Sequence, residues 1–121
     1  MLDSNNIIAL VTNDNDAVVR RAGECDEDEI VTSAIAFAEV AYGSMQEKPP
    51  LLTRLCAFAE EVPILPFDDK AALVYASLPF RRGRFDRLIA AHALSRDLIL
   101  VTNNLPDFAD MPELYVENWA R

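Results

Sequence analysis

Apolar residues in this chain fall into short bursts separated by polar punctuation, and the spacing inside each burst indicates its element. Met1-Leu2 leads into Asp3-Ser4-Asn5, the pattern of a strand end followed by a helix cap. Helical spacing continues through Ile7, Ile8, Leu10 and Val11, and a second short helix is expected over Asp16 to Arg21. The β-branched run "EIVTSA" predicts a short buried strand, after which Ser33 caps a helix reaching about Met45. Pro49-Pro50 open another helix, "PLLTRLCAFAEE", with Leu52, Leu55, Cys56 and Ala59 on one face. "VPILPF" is strand-like, and its two prolines suit a short or edge strand.

The second half repeats this alternation. "DDKAALVYASL" carries acids in its first turn and is expected to be helical. Gly83 breaks the chain before the helix "FDRLIAAHALSR". "LILVT" is continuously apolar, as a central strand buried on both faces would be. "NNLPDFADMP" reads as a loop with a helical turn, and "LYVENW" as a final short strand. Strands alternating with helices imply an α/β fold with a mainly parallel sheet. In such sheets ligands bind beyond the carboxyl ends of the strands.

Composition narrows the class. At 121 residues and 51% hydrophobic content, the chain is expected to form one domain, residues 1–121, with a substantial core. Its apolar runs fall well short of the ~20 residues that span a bilayer, so no membrane association is expected. No segment resembles a signal peptide, and Cys25 and Cys56 lack metal-ligand spacing. Reduced thiols and a cytoplasmic location are the default.

The net charge of −9 argues against a broad basic face for phosphates. Two segments depart from the mean in opposite directions. "ECDEDE" at 24–29 has the composition of a solvated acidic loop, whereas "RRGRFDR" at 81–87 gathers Arg81, Arg82, Arg84 and Arg87 around one aspartate. Arginine forks suit phosphate oxygens, so the four arginines are candidate phosphate contacts, with Arg82 and Arg84 the candidate substrate-binding pair; salt bridges to the acidic surface or to a partner are the other reading.

The candidate chemistry lies in acids at element junctions. Asp3 follows the first strand, Asp86 opens the "FDRLIAAHAL" helix, and Thr102, Asn103 and Asn104 follow "LILV". Glu39 is the one charge in the apolar run "TSAIAFAEVAYG". Their separation in sequence excludes a local chelating loop and suits a site assembled at one end of a sheet. Clustered carboxylates raise one another's pKa unless a cation neutralises them, and oxygen-only ligands select Mg²⁺ or Mn²⁺. Taken singly, each has a plainer explanation: Asp3 as a helix cap, Glu39 as a half-exposed helix residue, Asp86 as a partner of Arg82 or Arg87, Asn103-Asn104 as a turn.

The segments "MLDSNNI", "TSAIAFAEVAYG", "FDRLIAAHAL" and "LVTNNLPDFADMPELYVENW" resemble, in order and approximate spacing, the PIN-domain ribonucleases, in particular VapC-type toxins of toxin–antitoxin pairs. The resemblance spans nearly the whole chain and is most specific in the C-terminal third. It implies a three-layer α/β/α sandwich with a short, mainly parallel central sheet of about 4–5 strands. It also implies a metal-dependent endoribonuclease in which Asp3, Glu39 and Asp86 hold Mg²⁺ or Mn²⁺. The fourth position, Asp in some members, falls on Asn104. Ser4 and Asn5 correspond to polar companions of the first acid, Ser33 to a small hydroxyl residue near the site, and Thr102 to a residue beside the fourth position. A cognate antitoxin, an RNA substrate and a homodimer are the implied partners.

Two departures stand out: Asn104 removes one charge, and only Met1 and Leu2 precede Asp3, so the first strand is expected to be short. A non-catalytic PIN module that binds RNA or protein is the main alternative. An aspartyl-phosphate phosphohydrolase would want a second Asp where Asn5 stands, and a receiver domain lacks a well-placed lysine. His92 falls on the helix face of Phe85, Leu88 and Ile89, which makes it a core or interface residue rather than a base. Phe108 and Trp119 are expected to pack internally.

Overall fold

A computed structural model describes residues 1–26, 28–79 and 85–120. Its sheet is built from very short parallel segments. β1 (Thr32–Ser33) pairs with β2 (Ile64–Leu65), Thr32 opposite Ile64. β3 (Leu100–Val101) pairs with β4 (Val116–Glu117), Leu100 opposite Val116. Leu2 joins the two pairs, bridging Thr32 on one side and Val101 on the other, both in parallel. Its N–H donates to the Val31 carbonyl at 2.9 Å, and the Asp3 N–H donates to the Val101 carbonyl at 3.1 Å. The spatial order is therefore β2, β1, Leu2, β3, β4. The proline-flanked "VPILPF" lies at one edge, and the "LILV" strand is interior, as its composition implies.

Local sequence explains where the helices begin. Asp3 caps α1 (Ser4–Thr12), Asn15 caps α2 (Asp16–Gly23), Ser33 caps α3 (Ala34–Met45) and Asp68 caps α5 (Asp69–Ser77). In each the side-chain oxygen accepts a first-turn N–H that the helix itself cannot satisfy. Asn13 ends α1 in the left-handed conformation (φ 57°), a region asparagine tolerates better than most residues. α6 spans Phe85–Ser95, and a 3-10 turn covers Leu105–Phe108 within the expected loop.

The core packs Leu2, Ile7, Leu55, Ile89 and Leu100 around the sheet, with Phe108 and Trp119 also buried. α4 (Leu52–Glu61) departs from expectation in both start and phase. It begins after Leu51 rather than at the prolines, and it buries Leu55 while Phe58 and Ala59 are half-buried. Leu52 and Cys56 are exposed. The inward stripe therefore runs through the i, i+3, i+4 set from Leu55, a rotation that the leucine spacing alone does not reveal. Both cysteines are free thiols, and no described helix is long and apolar enough to cross a membrane.

Candidate metal centre at the carboxyl end of the sheet

Because the sheet is parallel, the residues that follow its strands emerge at one end. Asp3 leaves the Leu2 bridge, Ser33 leads β1 into α3, and Thr102 to Asn104 leave β3. Of the two readings of Asp3, the structure shows the helix cap. It is buried, and its Oδ1 accepts the Asn6 N–H (3.0 Å) as a helix cap. The Asn6 side-chain amide donates to the same oxygen at 2.8 Å and to the Val101 carbonyl at 3.2 Å. Asn6 thus engages one Asp3 oxygen, Oδ1, through both its backbone N–H and its side-chain amide.

Glu39 projects from the middle of α3, half-buried, and its Oε1 accepts the Ser4 hydroxyl at 2.7 Å. Burial raises its pKa above the ordinary carboxylate value; the Ser4 hydrogen bond opposes this, and the negative charges of Asp86 and Asp3 add to the rise. The three acids, distant in sequence, thus lie within electrostatic reach of one another. Asp86 sits half-buried in the first turn of α6. Their donor chemistry, all carboxylate oxygen, fits a hard divalent cation. Among the described residues, no group of three or more His, Cys, Asp or Glu side chains stands close enough to form a ready-made ligand cage. The acids approach as a loose set whose mutual repulsion a cation would relieve.

The remaining candidates divide. Ser4 uses its hydroxyl on Glu39, so it holds an acid rather than facing outward, whereas Asn5 is exposed. Thr102 is buried, and its Oγ1 accepts the Asn104 N–H at 3.1 Å, which shapes the turn that presents the exposed Asn104. Ser33 does not fit a substrate contact: it is fully buried, capping α3 through the Ile35 N–H (3.0 Å) and meeting His92 Nδ1 at 2.8 Å. Arg81, Arg82 and Arg84 lie outside the described residues.

Arg87 corrects the reading of the basic cluster. Its guanidinium closes on Asp110 with both prongs, at 2.9 and 3.1 Å, and also donates to the Pro79 carbonyl at 3.3 Å. A buried fork so engaged holds the start of α6 to the loop after the 3-10 turn and is not presented to phosphates. Phe85 also departs from expectation. Although it falls one heptad from the buried His92, it is exposed.

Asn6 is the site residue that sequence reasoning missed. Its only signal was a second asparagine in "DSNN", which reads as an exposed helix position; the fold instead buries it to orient Asp3.

Comparison with known proteins identifies the family. The family model described as PIN domain matches residues 1–114. The tRNA(fMet)-specific endonuclease VapC of Shigella flexneri is 33% identical over 130 residues, covering 99% of this chain and 97% of that protein. Ribonuclease VapC2 of Rickettsia felis is 33% identical over 101 residues, with 76% of this chain and 75% of the relative covered. Among solved structures, VapBC2 from Rickettsia felis bound to a promoter DNA fragment superposes with a TM-score of 0.84 at 28% identity, covering 98% of this chain and 97% of that one. DNA-bound VapBC from Salmonella typhimurium gives 0.77 at 30% identity, covering 98% and 96%. A match over nearly the full length, in sequence and in fold, places this chain in the PIN domain family.

Proposed function

We propose that this chain is a metal-dependent endoribonuclease, the toxin of a VapBC-type pair, acting on RNA phosphodiester bonds. The observation that carries this reading is the convergence of Asp3, Glu39 and Asp86 at the carboxyl end of a parallel sheet, close enough that Asp86 and Asp3 add to the rise in the Glu39 pKa that burial chiefly causes. Relatives named as VapC ribonucleases and VapBC complexes support the reaction class and a cognate antitoxin as partner. A homodimer is the expected assembly.

Asp3, Glu39 and Asp86 would hold Mg²⁺ or Mn²⁺, with Asn104 as an outer ligand. When bound, the ion supplies Lewis-acid stabilisation of the charge that develops during phosphodiester hydrolysis. The chain's own residues prepare that site. Asn6 locks the Asp3 carboxylate by occupying Oδ1, and Ser4 donates to Glu39 Oε1, which favours the ionised form that a ligand needs. Thr102 fixes the turn that presents Asn104 to the same end of the sheet.

Purified Asp3→Asn and Asp86→Asn proteins, assayed for RNA cleavage with and without EDTA, test the assignment. Each is expected to lose about 100-fold or more, as does the wild type in EDTA. Undiminished cleavage by either variant overturns the reading. A wild-type protein that binds RNA but never cuts it would establish a non-catalytic module instead.

A further inference from the structure

Next to Glu39 lies a cavity of about 520 Å³ lined, among the described residues, by Ile35, Ala38, Glu39, Tyr42 and Phe85. Two of these are aromatic side chains that a folded chain has little reason to leave in water: Tyr42 is 71% exposed and Phe85 57%. Tyr42 stands one turn after Glu39 on α3, and Phe85 immediately precedes Asp86 on α6. Each exposed ring is therefore a near neighbour in sequence of one of the proposed metal-binding acids.

We infer that this cavity receives an unpaired nucleobase adjacent to the scissile phosphate, stacked on Tyr42 and Phe85. The inference rests on the ribonuclease reading above. A phosphodiester cannot reach the acids without bringing its flanking bases to the mouth of a cavity that shares Glu39 as a wall. Among the described lining residues Glu39 alone is charged and the others are apolar or aromatic, a surface that suits a flat base. The volume falls within the range of small-ligand sites and admits a base. Stacking on aromatic side chains is a general means of holding single-stranded RNA, because every base offers a π-face. The described lining offers chiefly apolar and aromatic surface, a face for stacking rather than an edge for hydrogen bonding.

The test pairs protein variants with altered RNA. Oligoribonucleotides cut by the wild type are resynthesised with an abasic ribose on either side of the cut. One of these substitutions is expected to raise KM roughly 10- to 100-fold, as are Tyr42→Ala and Phe85→Ala on the intact oligonucleotide. In Tyr42→Ala the abasic substitution should add little further loss, and Tyr42→Phe should recover most of what Tyr42→Ala loses. Independent, multiplying effects or an unchanged KM overturn the proposal. Loss of a protein partner with KM for RNA unchanged assigns the cavity to that partner and likewise overturns it. Should the wild type cut no RNA, 2-aminopurine scanned along an unstructured oligoribonucleotide in EDTA still decides the matter. Quenching that Tyr42→Ala abolishes supports the base site while the ribonuclease reading fails; no quenching at any position overturns the base site itself.

Discussion

The Ser33 hydroxyl lies 2.8 Å from His92 Nδ1, tying the first residue of the α3 cap to the middle of α6. The Ser33 oxygen also accepts the Ile35 N–H, and burial lowers the pKa of the ring, which favours a neutral imidazole in this contact. α3 carries Glu39 and α6 carries Asp86, and this bond is a direct link between the two helices.

Ser33→Ala removes a helix cap and strands a buried imidazole nitrogen in one step. A loss of about 2 kcal/mol is expected, from a cap contribution near 1 and a similar penalty for the unpaired group. Urea denaturation measures it. A change below about 0.5 kcal/mol, the range of ordinary surface substitutions, would show that the bond contributes nothing to the fold.

The same imidazole makes stability depend on pH. Burial is the largest cause of its lowered pKa; Asp68 opposes the shift and Arg96 adds to it. The folded ring resists protonation, whereas the unfolded ring takes up a proton near the ordinary value of 6.5. The contribution is complete above that value and is lost as pH falls through it toward the folded pKa. Unfolding free energies measured from pH 8 down to 5 should decline in the wild type, and the decline should be shallower in His92→Gln. Parallel curves would refute the assignment.

Glu39 titrates with the opposite sign. Its folded pKa is raised, chiefly by burial and further by Asp86 and Asp3, so ionisation above the ordinary 4.5 destabilises the metal-free fold. Glu39→Gln should therefore be more stable than wild type in EDTA near neutral pH. The ranking should reverse with magnesium, since only the wild type gains from binding, by about 2.7 kcal/mol at a concentration a hundredfold above Kd. Thermal melts with and without the metal distinguish the cases. A variant that is destabilised in EDTA and still cuts RNA contradicts this account of the residue.

Arg87 predicts a stability defect rather than a binding defect. Asp110→Ala leaves the buried guanidinium without its carboxylate, at a cost of about 3 kcal/mol, the lower end for broken buried pairs because Asp110 is partly exposed. RNA affinity of the protein that remains folded should be little changed. An Arg87→Met variant that stays as stable as wild type and has lost RNA binding would return Arg87 to the substrate.

Much of this molecule is legible from residue types over short range. Caps at Asp3, Asn15, Ser33 and Asp68 mark helix starts because each bonds within its own first turn. The apolar "LILV" run identifies an interior strand, and Glu39 stands out as a charge in an apolar segment. What stayed hidden depends on partners brought together by the fold. Arg87 looked like a phosphate ligand because Asp110 is distant in sequence, and Ser33 looked like a site hydroxyl because His92 is more distant still. Asn6 was missed because its burial depends on Val101, from the opposite end of the chain. The phase of α4 and the exposure of Phe85 are likewise settled by packing, where spacing along one helix allows more than one answer.

Leu2 is a single residue, yet it is the seam on which both halves of the sheet close. The next residue along, Asp3, is the first acid of the proposed centre and also the cap of α1. The seam and the reactive end are thus one continuous stretch of backbone. A chain in which these residues detach loses the junction between its strand pairs and its foremost carboxylate in the same event. Parting the sheet at Leu2 therefore pulls on the backbone of the first carboxylate as well. A binding partner that displaced Leu2 would move Asp3 with it and disturb the site from the side of the sheet.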